Sequence, residues 1–187
     1  MSNTIEKKTV KKFIELVLLR DIGRLISTGN HYLGFGVMAQ AIELLGAIVE
    51  DEQTEKLQKN PGSEFHTTRK SRARFRRGLE LFQNPDYLKY CPEKTSKDPY
   101  DLYDNLRCGY AHQLRPQGQI AVTTEQESKE DGTKHLEIDS RTNNLILVSE
   151  RLYHDLEAAC KEVIRMIDSK EINHRKAYSN FLNLTKY

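Results

Sequence analysis

The chain has 187 residues, a length that fits one domain and leaves little room for a second. Hydrophobic residues make up 37% of it and charged residues 30%, which excludes a disordered chain. The net charge of +2 is too close to balance to predict nucleic-acid or membrane binding from the whole molecule, so such a prediction needs a local cluster.

The cysteines and the N-terminal segment bear on the cellular compartment. Cys91, Cys108 and Cys160 are widely spaced and form no Cys-x-x-Cys pair, so neither a disulfide framework nor a zinc site is predicted. The first twelve residues are charged and lack the apolar core of a signal peptide. The apolar run from Leu33 to Val49 is shorter than the roughly 20 residues that cross a bilayer. We therefore expect a cytoplasmic protein without a membrane segment.

Motifs for cofactor chemistry are missing from the sequence. It contains no glycine-rich phosphate loop and no Gly-x-Ser-x-Gly elbow. The six histidines show no spacing that is typical of metal ligands. We expect neither a cofactor nor a metal ion.

Hydrophobic periodicity predicts three helices in the first half of the chain. Apolar residues at spacings of three, four and seven predict a helix over about 5–26. The second helix, over about 31–50, is apolar on almost all sides and is the expected centre of the core. A polar loop over 51–64 separates it from a third helix over about 67–82.

The second half predicts two more helices with a small sheet between them. Asp98 and Pro99 favour a helix start, so the fourth helix is expected over about 99–113. Three short β-rich runs within 118–148 predict an antiparallel hairpin or three-stranded insertion, with a turn at Glu130-Asp131-Gly132. Ser149 is expected to cap a last helix over about 149–168. The fold class is therefore mainly α, a helical bundle with a small β insertion.

The third helix carries a dense cluster of positive charge. Its six basic residues are Arg69, Lys70, Arg72, Arg74, Arg76 and Arg77. Because Phe75, Leu79 and Phe82 form only a narrow apolar stripe, much of the remaining surface is expected to be positive and to bind RNA phosphates without reading bases. The alternative is a solvated face that is neutralised by the acidic segment VEDEQTEKLQ or by another subunit.

The stretch LYDNLRCGYAHQLRP, from Leu102 to Pro116, carries the residues with the most direct chemical meaning. On an α-helix Arg107 and His112 lie roughly 140° apart around the axis. A guanidinium can grip a phosphate and an imidazole can transfer a proton near neutral pH. Cleavage of RNA by its own 2′-hydroxyl needs both functions and no metal. Arg107 and His112 are therefore the candidate catalytic residues.

Other residues near the motif are auxiliary candidates. Asp104 and Cys108 follow the four-residue spacing of His112 and share its helix face. In the structural alternative, Arg107 pairs with Asp104 and His112 interacts with the helix C-terminus. Cys108 is a small core residue or a reactive thiol. Glu43, on the apolar second helix, pairs with Arg107 if it is buried, or lies on an exposed edge.

The motif Arg107-Cys-Gly-Tyr-Ala-His112, preceded by Leu106 and placed late in a helical bundle, resembles the Arg-x4-6-His motif of HEPN domains. The resemblance implies one HEPN-like domain over 1–187 and a homodimer whose two motifs form a joint cleft. Many HEPN domains are metal-independent ribonucleases in toxin, defence or RNA-processing systems. Others are inactive or serve as binding modules.

Two functions follow from this resemblance. The first is a HEPN-type ribonuclease or an RNA-binding protein derived from one. The second is a catalytically inactive oligomeric module with an antitoxin or regulatory protein as its partner. Active members usually have a polar residue directly after the arginine, where this chain has Cys108, and that difference favours the second function. The basic third helix favours the first.

Overall fold

The computed structural model describes residues 9–50, 68–94, 97–173, 177–179 and 181, and this part of the chain is mainly helical, as predicted. The described helices are α1 (9–27, π-helical over Ile14–Asp21 and α-helical over Ile22–Ser27), α2 (His31–Ile48), α3 (Thr68–Leu79), α4 (π-helical Leu102–Arg107, then α-helical Cys108–Gln113), α5 (Glu125–Asp131) and α6 (Ser149–Asp168). A 3₁₀ helix, Pro85–Tyr90, follows α3. The predicted loop over 51–64 lies outside the described residues.

α2 is the central helix of the bundle and packs against α1, α3, α4 and α6. Its side chains Phe35, Met38, Ile42 and Leu45 are almost completely buried. By length and composition it is the one described helix that is apolar enough to span a membrane, and 61% of it is buried inside the bundle. Burial of this extent is what the core helix of a bundle shows.

One face of α2 is exposed, although the sequence of this helix is apolar on almost all sides. Tyr32, Leu33 and Val37 are 49%, 58% and 43% exposed. These three residues lie in the N-terminal half of the helix, and we call them the α2 apolar face. The apolar composition of α2 therefore serves both the core and one exposed surface.

α2 and α3 approach each other closely because each carries a glycine at the contact. A Cβ atom on Gly46 would lie 1.7 Å from the carbonyl oxygen of Arg74. A Cβ atom on Gly78 would lie 2.0 Å from the carbonyl oxygen of Ile42. Backbone atoms cannot yield as a flexible side chain can, so only glycine fits at these two positions. This contact fixes the distance between the basic helix and the centre of the core.

The start of α4 differs from the prediction by about one turn. Asp101 is the capping residue, and its carboxylate accepts hydrogen bonds from the backbone N–H groups of Tyr103 (2.9 Å) and Asp104 (3.3 Å). Asp98 accepts from the N–H of Tyr100 instead, within a turn. Two aspartates three residues apart both suit a cap, and the one that is fully buried begins the helix.

The sheet is mixed, whereas the sequence predicted an antiparallel one. Its strands are β1 (Ile120–Thr123), β2 (Ile138–Asp139) and β3 (Asn144–Val148), in the order β1-β3-β2. β1 runs parallel to β3, and β2 runs antiparallel to it. A parallel pair needs a crossover connection, and α5 lies in it. The predicted turn at Glu130-Asp131-Gly132 is the C-terminal end of α5, where Gly132 adopts a left-handed conformation (φ 67°).

α6 has the bounds that the sequence predicted, and the predicted apolar face is buried. The buried residues of that face are Leu152, Leu156, Ala159, Val163 and Ile167. Ser149 does not cap the helix as predicted. Its hydroxyl donates to the carboxylate of Glu150 (2.7 Å) and contacts Nδ1 of His31 (2.7 Å). Ser149 thereby connects the first residue of α6 to His31, the first residue of α2.

Candidate functional site at the Arg107 motif

Arg107 forms an ion pair with Glu43 between α4 and α2. Nε of Arg107 donates a hydrogen bond to Oε2 of Glu43, and the two atoms lie 2.5 Å apart. The Glu43 side chain is 6% exposed and that of Arg107 is 19% exposed. Burial alone would lower the pKa of Arg107, but the Glu43 carboxylate outweighs it and raises that pKa. The buried-carboxylate interpretation of Glu43 is therefore confirmed, with Arg107 as its partner.

Tyr103 lies close to two guanidinium groups. The central guanidinium carbon of Arg72 is 4.7 Å from the centroid of the Tyr103 ring, and that of Arg107 is 5.9 Å away. Burial raises the pKa of the Tyr103 phenol to about 12, so the ring stays neutral. A neutral aromatic ring attracts a nearby cation, so Tyr103 favours the charged form of both guanidinium groups. Tyr103 precedes Arg107 by one helical turn, a spacing that would have identified it in the sequence.

Asp104 belongs to a second ion-pair cluster. Arg72 reaches Asp101 at 2.7 Å and Asp104 at 2.5 Å. The prediction that Asp104 pairs with Arg107 is wrong, because the Asp104 carboxylate binds the guanidinium of Arg72 on α3. Asp104 therefore joins α3 to the beginning of α4.

The predicted RNA-binding face of α3 is largely internal. Lys70, Arg72 and Arg74 are each less than a tenth exposed. The carboxylate of Glu50 lies 2.7 Å from Arg74 and 3.5 Å from Lys70. The prediction that these three side chains form a positive surface is therefore wrong. Glu50 belongs to the acidic segment VEDEQTEKLQ, so the predicted neutralisation by this segment is confirmed for Lys70 and Arg74, whereas the solvated face of that alternative is wrong because both side chains are buried.

The remaining basic residues of α3 also have partners where their side chains are described. Arg76 donates to the carbonyl oxygen of Cys91 and lies 3.8 Å from Glu80. Arg77 is exposed and lies 2.8 Å from the same carboxylate. The side chain of Arg69 lies outside the described part of the structure. α3 therefore contributes more to the interior than to the charged surface.

An open cleft of about 340 Å³ lies next to Arg107. Its walls come from α1 and α2, and Glu43 and Arg107 form its polar end. The lining residues are Phe13, Val17, Leu18, Val37, Gln40, Ala41, Glu43, Leu44 and Arg107. The cleft thus combines a mostly apolar interior with one buried ion pair.

His112 is exposed in the last turn of α4 and is absent from the lining of this cleft. Between Arg107 and His112, Tyr110 is buried against Gly36 and Tyr32 of α2. Within one protomer the structure therefore brings Glu43 to Arg107 but leaves His112 on the surface. Cys108 is half-buried with a free thiol, and it lies close enough to Arg107 and Tyr103 to interact electrostatically with both.

A second buried polar cluster lies near the sheet. Nδ1 of His135 accepts a hydrogen bond from the backbone N–H of Val148 (2.8 Å), so Nε2 carries the proton of the neutral ring. Nε2 lies 2.7 Å from the hydroxyl of Tyr87, which donates to Asp155 (2.8 Å). Burial, together with the charge of Arg151, lowers the pKa of His135 to about 4. This histidine therefore stays neutral at physiological pH.

Comparison with protein-family models, with curated proteins and with solved structures found no match in any of the three. Among the described residues, no group of three or more His, Cys, Asp or Glu side chains is placed to hold a metal ion. The fold and the site define a mainly helical bundle with a small mixed sheet and a buried Arg–Glu pair at an open cleft.

Proposed function

We propose that the protein is a metal-independent ribonuclease of the HEPN type, or an RNA-binding protein derived from one, that works in the cytoplasm. Arg107 binds the phosphate and His112 transfers the proton. The observation that carries the proposal is the way Glu43 holds Arg107. The hydrogen bond uses Nε, so the fork of terminal nitrogens is not committed to the carboxylate and can bind a phosphate oxygen.

The chemistry needs a base, an acid and a positive charge. The ribose 2′-hydroxyl loses its proton to a base as it attacks the adjacent phosphorus, and the departing 5′-oxygen takes a proton from an acid. Arg107 stabilises the negative charge that develops on the phosphate oxygens. One His112 supplies only one of the two proton transfers. A second copy of the motif supplies the other, which is the reason to expect a homodimer.

The α2 apolar face is suited to bring the two motifs together. Tyr32 belongs to this face, and its ring lies 5.5 Å from that of Tyr110 in the motif helix. Exposed apolar side chains grouped on one face are typical of interaction surfaces. A twofold axis through this face would place both Arg107–His112 motifs at one interface. Replacing Leu33 by Asp should then give a monomer by sedimentation equilibrium, whereas Ile138→Asp on β2 should not.

Cleavage of labelled single-stranded RNA in EDTA tests the catalytic part of the proposal. His112→Ala should abolish cleavage while RNA affinity and folding stay nearly unchanged, because the change removes a proton-transfer group and little binding energy. Arg107→Lys should weaken both binding and cleavage, because lysine cannot make the bidentate contact. His154→Ala is the matched control, since His154 is an exposed histidine on α6.

The second candidate function is a catalytically inactive oligomeric module with an antitoxin or regulatory protein as its partner. Two observations favour it. Cys108 stands directly after Arg107, and three of the basic residues of α3 are buried in ion pairs, which removes an RNA-binding surface. If the unmodified protein neither cuts nor binds any RNA in the panel, this function replaces the first.

A further inference from the structure

The cleft beside Arg107 has the size and the lining of a small-ligand site. Its volume of about 340 Å³ falls within the range of roughly 300–1,000 Å³ that such sites occupy. Val17 and Leu18 of α1 and Ala41 and Leu44 of α2 line it, so most of its lining is apolar. Phe13 adds an aromatic ring whose position is supported by Phe181, with ring centroids 5.0 Å apart.

The polar end of the cleft is electrically balanced. Glu43 supplies hydrogen-bond acceptors and Arg107 supplies donors, and their charges cancel. Gln40 lies one helical turn before Glu43 and adds an amide that can both donate and accept hydrogen bonds. A hydrocarbon chain could use none of these hydrogen-bond donors and acceptors. The matching ligand is therefore largely apolar and carries both hydrogen-bond donors and acceptors.

We propose that this cleft holds one unstacked nucleobase of single-stranded RNA, and that bases with an amino group are preferred over uracil. The inference rests on the proposed function and names the substrate class of the same site. A nucleobase has two apolar faces for the walls and a polar edge for Glu43 and Gln40. The amino groups of adenine, cytosine and guanine donate to a carboxylate, whereas uracil has only its N3–H to donate, between two carbonyl oxygens that a carboxylate repels.

The base and the scissile phosphate would be selected together. They are joined through one sugar, so a base in the cleft restricts where the neighbouring phosphates can lie relative to the motif helix. Duplex RNA keeps its bases stacked and paired, so it cannot place an unstacked base in the cleft. Cleavage should therefore be confined to single-stranded segments and should fall at a fixed position relative to the bound base.

A series of oligonucleotides tests this inference. Each has one abasic site, and the site moves along an otherwise identical single strand. We expect kcat/KM to fall about 10- to 100-fold when the abasic site replaces the base that enters the cleft, and to change little elsewhere. Replacing that base by uracil should give a smaller loss. Val17→Phe, which narrows the cleft, should reduce cleavage of the intact strand and remove the abasic effect.

Gln40→Ala isolates the recognition of the base edge. Gln40 is exposed, so the variant should fold, and the preference over uracil should shrink by about 2- to 10-fold. Gln113→Ala, an exposed glutamine on α4, is the matched control. Equal cleavage of every abasic strand by an active enzyme would overturn the inference and leave the proposed function standing. Loss of all RNA cleavage and binding in the unmodified protein would overturn both.

Discussion

Glu43 and Arg107 are 64 residues apart in the sequence, and one hydrogen bond of 2.5 Å between them joins the central helix to the motif helix. Breaking a buried ion pair by removing one partner is costly because the other charge stays buried. Glu43→Gln should therefore lower the free energy of unfolding by about 2 to 4 kcal/mol.

Urea denaturation measures this loss, and a double-mutant cycle assigns it to the pair. Glu43→Gln combined with Arg107→Met should cost less than the sum of the two single changes. Lys89→Gln is the control, since Lys89 pairs with Asp86 at the surface, where solvent screens the pair, and its cost should be far smaller. Additive effects of Glu43→Gln and Arg107→Met would contradict a stabilising pair.

Gly46→Ala should be among the most destabilising small substitutions in the protein. The new methyl group meets the backbone carbonyl of Arg74, so α2 and α3 must move apart at a cost of about 3 kcal/mol. Gly29→Ala is a useful contrast, because its Cβ would meet open space and only its positive φ of 82° is unfavourable, at about 1 kcal/mol. Similar melting temperatures for the two variants would argue against the close contact of the helices.

Because His135 is neutral in the folded protein, we predict that the protein loses stability in mild acid. Its pKa is about 4 in the folded state, below the ordinary value of about 6.5 that applies in the unfolded chain. Between pH 6.5 and 4 the unfolded chain binds a proton that the folded protein does not, so stability falls as the pH falls. The loss amounts to up to about 3 kcal/mol.

The measurement is urea denaturation at several pH values on the parent protein and on His135→Asn. The variant should be less stable at neutral pH, because the Val148 and Tyr87 contacts are altered, but its stability should depend less on pH. The difference between the two curves isolates the contribution of His135 from those of the other histidines. Parallel curves would mean that His135 titrates normally in the folded state.

The basic helix should respond to mutation as part of the core. Arg72→Gln leaves the buried Asp101 carboxylate without its cation, so we expect a loss of about 3 kcal/mol or more in unfolding free energy. Arg77→Gln removes an exposed charge and should cost less than about 1 kcal/mol. RNA affinity of both variants, measured where they remain folded, should change little. A large decrease in affinity without loss of stability would restore the surface interpretation of this helix.

The sequence predicted the helices well because the apolar residues that a helix buries recur at a helical spacing in the sequence. The bounds of α6 and its buried face follow directly from the spacing of Leu152, Leu156 and Val163. The pairing of Glu43 with Arg107 could be anticipated for a related reason, since a carboxylate among apolar residues requires a partner.

Features that depend on distant residues could not be predicted in this way. In the sequence, the basic residues of α3 suggest an exposed positive surface, because the carboxylates that pair with them lie far away in the chain. Glu50 is 24 residues before Arg74, and Asp101 is 29 residues after Arg72. The strand pattern does not specify which strand lies beside which, so β1 could not be assigned as parallel. A glycine after an acidic run suits both a turn and the end of a helix, which is why α5 was mistaken for a hairpin turn.

Two helices, α1 and α4, contain π-helical stretches, and in each of them the stretch borders the cleft. Val17 and Leu18 lie within the stretch Ile14–Asp21 of α1, and Arg107 ends the stretch Leu102–Arg107 of α4. Bonds from i to i+5 hold an extra residue in each turn, so rewinding either stretch to α-helix would rotate the residues that follow about the helix axis. Arg107 ends its stretch and His112 lies in the α-helical segment Cys108–Gln113 that follows, so a change of winding over Leu102–Arg107 would turn the two residues together about the helix axis. The motif would then move relative to the cleft as one unit, with its internal geometry unchanged.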